Sequence, residues 1–289
     1  MISFKKKTVH LINGEELSYI EKGSGMETIL LIHGNLASSV HMVTLMDELK
    51  TNYRVIAPDL RGFGDSSFNN EFMSLKELAQ DLVLFCHELN IKHTHVLGWS
   101  TGFGVAMELA IISPNLVKSL FSLEGMSVKG YYSLQRSNNI PFNSYEEMKN
   151  DSSMRLVANA LAIKDYNFIK KIWQKTLLIV STVSDDLLDL YIKETLKQRC
   201  QMNINWCWVN FNISNEANLY TKGNSLMTNI KCPIYITLGL KDNVVVESMI
   251  KENIKLLNNP EVFIFENGGH CLHFDELEKI VKIINEKIG

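Results

Sequence analysis

Ser100 stands in Gly98-Trp99-Ser100-Thr101-Gly102, the sharpest chemical signal in the chain. A serine hydroxyl attacks a carbonyl only when a neighbouring base takes its proton. The stretch follows the apolar run His95-Val96-Leu97 and leads into a helical pattern from Phe103. A nucleophile on so tight a strand-to-helix turn holds a strained backbone. The residues two before and two after it then press on neighbouring backbone and must be small. Gly98 and Gly102 occupy those places, and Gly104 and Ala106 keep the next helical turn thin. The free N–H groups at the start of that helix favour negative charge at the reaction centre.

The remaining chemistry can be assembled from distant stretches. His270 ends Glu266-Asn267-Gly268-Gly269-His270, just after the apolar run Val262 to Phe265. The paired glycines suit a loop that turns the imidazole back towards Ser100. His273 competes locally but sits nearer the closing helix, where packing is the simpler role. His270-Cys271-Leu272-His273 lacks the partner ligands of a metal site, and no metal or cofactor is expected. A base of this kind needs a carboxylate to fix its tautomer. Asp242, in Gly239-Leu240-Lys241-Asp242 after the run Ile234 to Leu238, is favoured over Glu124, which follows Val117 to Leu123. An oxyanion needs two N–H donors. Thr101 supplies one, and the loop after Thr28 to Ile32 supplies the other at Asn35, with Leu36 and the Asn35 side chain as alternatives. His33 reads as a structural histidine. Leu36, Trp99 and Phe103 are candidates for a substrate pocket, although such aromatics more often belong to a core.

These residues must be delivered by a scaffold. Val9 to Ile12 and Leu17 to Ile20 flank the turn signal Asn13-Gly14, which predicts a hairpin. Thr28 to Ile32, Tyr53 to Ala57, His95 to Gly98, Val117 to Leu123, Ile234 to Leu238 and Val262 to Phe265 read as strands. Helical patterns occupy Val40 to Leu49, Leu75 to Leu89, Phe103 to Ile112 and Leu277 to Ile288. This alternation predicts an α/β fold, a mostly parallel sheet flanked by helices. It breaks between 127 and 226, where Tyr145 to Ala162 and Asp185 to Gln198 look helical and three of the four tryptophans lie. The chain is therefore divided into a core, 1–126 and 227–289, and a helical insertion, 127–226.

The 289 residues suffice for one core with an insertion, and 46% hydrophobic with 21% charged residues is ordinary for a globular chain. A net charge of -3 points to no nucleic acid or anionic membrane. Lys5-Lys6-Lys7 reads as a solvated edge. No apolar run reaches the ~20 residues of a membrane span, and Met1 to Gly14 lacks a signal peptide's apolar stretch. Five cysteines without close pairing fit a reducing compartment, so a cytoplasmic location is expected. The partner expected is a small, partly apolar substrate. Oligomeric state is not legible.

His33-Gly34-Asn35, Asp59 to Ser66, the Ser100 pentapeptide, Gly239 to Asp242 and Gly269-His270 together resemble the α/β-hydrolase family. They span the whole core. The resemblance implies an eight-stranded, mostly parallel sheet with a helical cap inserted after its sixth strand. It implies that the stretch Asp59 to Ser66 is a structural loop. It also implies a triad of Ser100, His270 and Asp242, in the chain order Ser, Asp, His. Members with aspartate at the elbow, the haloalkane dehalogenases and soluble epoxide hydrolases, are disfavoured by Ser100. Those with serine include carboxylesterases, lactonases, thioesterases, carbon–carbon bond hydrolases, cofactor-free perhydrolases and acyltransferases, and some relatives are ligand receptors. The leading expectation is hydrolysis of a carboxylic ester, lactone or thioester through an acyl-enzyme.

Overall fold

The computed structural model describes residues 3–136 and 138–289. Met1 and Ile2, part of the signal-peptide reading, and Ser137, inside the expected insertion, lie outside them. Eight strands form one sheet: β1 (Lys6–His10), β2 (Glu16–Lys22), β3 (Thr28–Ile32), β4 (Arg54–Pro58), β5 (Thr94–Trp99), β6 (Val117–Leu123), β7 (Ile234–Gly239) and β8 (Glu261–Phe265). Their spatial order is β1-β2-β4-β3-β5-β6-β7-β8. β1, β2 and β4 pair antiparallel; from β4 to β8 every pairing is parallel.

The parallel strands are apolar on both faces because both faces are covered. In β3, Leu30 and Ile32 point into one core cluster while Ile29 and Leu31 point into the other. That is the two-residue period of a strand. Helices α1 (Val43–Leu49), α2 (Leu75–Glu88) and α3 (Thr101–Ile112) flank the sheet. α2 buries Leu75, Leu78, Ala79, Leu82, Phe85 and Cys86, a stripe at helical spacing.

Between β6 and β7 the described residues form five α-helices: α4 (Tyr145–Asn150), α5 (Arg155–Ala162), α6 (Tyr166–Ile172), α7 (Asp185–Thr195) and α8 (Gln201–Asn210). After β7 come α9 (Glu247–Leu256), α10 (Leu272–Asp275) and α11 (Leu277–Ile288). The single helix predicted over Tyr145 to Ala162 is two. The Asp151 carboxylate accepts from the backbone N–H of Ser153 (2.9 Å) and Met154 (3.1 Å), a local turn that competes with the helix.

The hairpin begins earlier than its apolar run suggests, with Lys6 paired to Ile20 and His10 to Glu16. Lys6 is therefore no solvated edge. Its ammonium meets Asp59 (2.9 Å), Asp65 (2.6 Å) and Glu194 (2.8 Å), so β1, the loop after β4 and α7 converge on one cation. Three carboxylates around it hold its pKa above the ordinary lysine value despite burial.

Candidate active site

The turn from β5 into α3 carries Ser100 at φ 56°, ψ −121°. A non-glycine residue there is strained by about 1–3 kcal/mol and persists only where its surroundings insist on it. They do: Ser100 N–H donates to Leu123 O (3.0 Å), and its carbonyl accepts from Phe103 N–H (3.0 Å) and Met126 N–H (3.2 Å). The flanking glycines are steric necessities. A Cβ on Gly98 would lie 2.4 Å from Phe103 Cα, and one on Gly102 would lie 2.3 Å from Ile32 O. A Cβ on Gly34 would lie 3.0 Å from Ser100 Cβ, so the loop after β3 presses directly on the serine.

His270 and Asp242 meet. Nδ1 of the imidazole lies 2.8 Å from Asp242 Oδ2, and both side chains are buried. A carboxylate only accepts, so the hydrogen of this bond sits on Nδ1, which leaves Nε2 to face away from Asp242. The other oxygen, Oδ1, accepts from Val244 N–H (2.7 Å) and Val245 N–H (3.1 Å), which fixes the acid from its own loop. His270 is tied to the serine turn as well: the Trp99 indole donates to the His270 carbonyl at 2.8 Å. Trp99 immediately precedes Ser100, so one edge of the sheet holds all three residues.

The second candidate acid is in the same place. Glu124 is fully buried at the end of β6. Its Oε1 accepts from Thr237 Oγ1 (2.9 Å), and both its oxygens lie 3.1 Å from Gly239 N. Burial, and then the negative charge of Asp242, push its pKa up to about 8. Asp242 therefore touches the imidazole and Glu124 stands behind it. His273 packs its ring against Trp99 and Phe274, with centroids 4.7 and 4.4 Å away. Burial pushes its pKa down to about 3. His33 bridges backbone: Nδ1–H donates to Gly34 O (2.8 Å) and Nε2 accepts from Leu60 N–H (3.0 Å).

On the oxyanion side, the alternatives for the loop donor are already engaged. Leu36 N–H donates to Gln198 Oε1 at 3.0 Å. The Asn35 amide donates to Gln201 Oε1 (3.1 Å) and accepts from Gln198 Nε2 (2.8 Å). Gln201 continues the chain to Asn205 at 2.7 Å. Thr101 opens α3, so its N–H has no partner within the helix, while its hydroxyl accepts from the Trp208 indole at 2.9 Å. Leu36 itself is buried with φ 58°. Trp99 and Phe103, expected along a pocket, have almost no exposed surface and belong to the two core clusters. A cavity of about 370 Å³ opens instead beside the amides, between Tyr145, Lys149, Leu161, Gln198 and Gln201.

Sequence reasoning missed Gln198, Gln201 and Asn205, and saw in Trp208 only possible pocket lining rather than a partner of Thr101. Gln201 and Asn205 lie one turn apart on α8, with Gln198 just before it, but nothing local says that this stretch meets the loop after β3. Among the described residues, no group of three or more His, Cys, Asp or Glu side chains is placed to hold a metal ion.

Residues 27–277 match the family model described as the alpha/beta hydrolase fold. The chain belongs to the α/β-hydrolase fold family. Lipase 1 of Psychrobacter immobilis is 24% identical to this hydrolase-fold chain over 280 residues, covering 94% of it and 80% of the lipase. The acetyltransferase component of the acetoin cleaving system of Cupriavidus necator is 37% identical, but over 109 residues, 38% of this chain and 29% of that protein. Against the first curated relatives it matches, the chain spans 29%, 31% and 40% of their lengths. Among solved structures, an esterase from Exiguobacterium antarcticum aligns over 98% of this chain and 99% of its own, with a TM-score of 0.76 at 17% identity. A putative lipase from Acinetobacter baumannii aligns over 99% and 91%, with a TM-score of 0.76 at 24% identity. At these identities the likeness is one of fold. No helix among the described residues is long and apolar enough to cross a membrane.

Proposed function

We propose that this protein is a serine hydrolase of carboxylic esters, lactones or thioesters, with Ser100 as nucleophile, His270 as base and Asp242 as orienting acid. One observation carries the reading: a buried imidazole bonded to a carboxylate at 2.8 Å, whose own backbone is tied to the residue before a strained serine. His270 Nε2 takes the Ser100 proton as Oγ attacks the carbonyl, and Asp242 stabilises the imidazolium. The oxyanion is met by Thr101 N–H and by Asn35 N–H, since Leu36 N–H and the Asn35 amide are taken by Gln198 and Gln201. Each donor contributes ~3 kcal/mol to the transition state. The imidazolium then protonates the leaving alcohol or thiol, and water repeats the cycle on the acyl-enzyme, releasing the acid and free Ser100.

The helices between β6 and β7 act in this reading as a cap, 127–226, over a core of 1–126 and 227–289. Thr101–Trp208 and Leu36–Gln198 are its contacts at the reaction centre. The substrate is a small molecule bound beneath it. All five cysteines are free, which suits a reducing compartment and a cytoplasmic location.

A fluorophosphonate probe tests the nucleophile. Wild type is expected to be labelled and Ser100→Ala not; an unlabelled wild type would favour a ligand receptor. Turnover of p-nitrophenyl esters of graded chain length then tests the bond cleaved. Labelling without ester turnover would move the assignment to carbon–carbon hydrolysis, perhydrolysis or acyl transfer on the same residues.

A further inference from the structure

Two carboxyl groups lie buried side by side beneath the imidazole, and one hydrogen bond cannot explain why both are there. Glu124 has no exposed surface, and Asp242 is 6% exposed. They come from adjacent parallel strands. Glu124 immediately follows β6 with φ 45°, a backbone conformation that a glutamate adopts only under constraint. Asp242 follows β7, its N–H donating to Gly239 O (3.2 Å). Gly239 joins the two acids, because its own N–H points at the Glu124 carboxyl and a Cβ there would lie 3.3 Å from Glu124 Cδ.

The donors do not suffice for two carboxylates. Asp242 accepts two backbone N–H groups on Oδ1 and the imidazole on Oδ2. Glu124 receives one N–H, shared between its two oxygens, and the Thr237 hydroxyl. That hydroxyl has a single hydrogen and is also 3.0 Å from Ser122 O. Gly239 is bonded to both acids, its carbonyl to Asp242 N–H and its own N–H to the Glu124 carboxyl, so the two are close neighbours and the charge of Asp242 acts on Glu124. Two adjacent buried carboxylates with so few donors do not both ionise. Asp242 has the imidazole and two amides to support its charge, so the proton falls to Glu124.

Building on the catalytic reading above, we propose that Glu124 is a positioning residue that stays protonated and holds Asp242 through a carboxylic acid–carboxylate hydrogen bond. Its O–H supplies the donor that Asp242 otherwise lacks on the β6 side. Asp242 is thereby kept ionised and aimed at His270. The titratable groups around the pair are few. Asp242 faces Glu124 from the loop after β7, and His270 and Cys271 stand beyond it on the loop after β8. Tyr131 faces Asp242 from the chain after β6. Deprotonation of Glu124 places a second negative charge behind Asp242. That also removes the O–H donor to Asp242, so the two carboxylates repel and Asp242 is no longer held in line with His270.

Two measurements test this, and one needs no turnover. In protein carrying ¹³Cδ-glutamate, the Glu124 carboxyl signal, assigned by its loss in Glu124→Gln, should be that of a neutral acid at pH 6.5. It should move to the carboxylate position on the alkaline side, around the value of about 8 to which burial and Asp242 raise it. A signal already at the carboxylate position at pH 6.5 overturns the proposal, whether or not Ser100 proves reactive. The second measurement is the rate of fluorophosphonate labelling against pH. Glu124→Ala should slow labelling at pH 7 by roughly 10- to 100-fold, the weight of one hydrogen bond to a charged group. Glu124→Gln, whose amide still donates to Asp242 and cannot ionise, should recover most of that loss and lack the wild type's alkaline decline. Equal slowing in the two variants, or an alkaline decline that survives in Glu124→Gln, would count against the shared proton. A wild type that does not label defeats the catalytic reading alone and leaves the carbon signal to decide.

Discussion

His273 makes the stability of this protein depend on pH in a direction and size that can be worked out. Its ring is completely buried, and neither nitrogen finds a partner among the described residues. Burial pushes its pKa from 6.5 in the unfolded chain down to about 3. The folded state binds the proton more weakly, so acid favours unfolding. The stability associated with the neutral ring is whole well above pH 6.5 and is lost progressively as pH falls towards 3. At pH 7 almost no unfolded chain carries the proton and the term is close to zero. At pH 5 nearly all unfolded chains carry it and folded ones do not, which costs about 2 kcal/mol. His41 and His33, also buried with lowered pKa values, act in the same direction. Urea unfolding at pH 7 and pH 5, on wild type and His273→Phe, isolates the one group. The wild type should lose about 2 kcal/mol more than the variant between the two pH values. The carboxylates titrate in both proteins and cancel. Equal losses would refute the argument, because they would mean that the ring titrates normally in the fold.

Two further outcomes follow from packing and charge. Gly98→Ala places a Cβ against the backbone of Phe103, whereas a Cβ on Gly14 meets nothing within 4 Å. The first should abolish cooperative unfolding or lower stability by more than 3 kcal/mol, while Gly14→Ala, at φ 85°, should cost only about 1 kcal/mol of backbone strain; similar thermal melts for both would contradict the model of the turn. The Arg61 guanidinium holds Asp81 through Nε (2.7 Å) and Nη2 (2.5 Å) in a buried site next to Glu15. Arg61→Ala leaves those acids unpaired and should cost about 3–5 kcal/mol in denaturant unfolding at pH 7, with part recovered in Arg61→Ala/Asp81→Asn; no recovery in the double variant would show that packing, not charge, dominates.

Much of the fold was legible because its signals are local. Runs such as Thr28 to Ile32 are apolar on both faces, and that pattern arises only when helices cover both sides of a parallel sheet. The Ser100 turn was legible for a similar reason: steric limits on a tight turn act on residues two positions away, so Gly98 and Gly102 advertise it. Where local signals compete, the reading slipped. The helical period over Tyr145 to Ala162 hid the Asp151 turn, and the apolar start at Val9 hid the strand that carries Lys6 into a ring of carboxylates.

From the order of its residues alone, this chain declares an alternating α/β sheet, a serine on a strained turn, and a histidine and acids at strand ends. Those follow from period, turn sterics and chain order, which are properties of short segments. Which of Asp242 and Glu124 touches the imidazole, and what Gln198 does to the loop after β3, depend on distances across 28 to 162 positions of chain. Such distances are set by how strands order themselves and how helices pack, and no local pattern encodes them. Tertiary contact put both acids under one ring, and their mutual repulsion in a buried site then divides the charge between them.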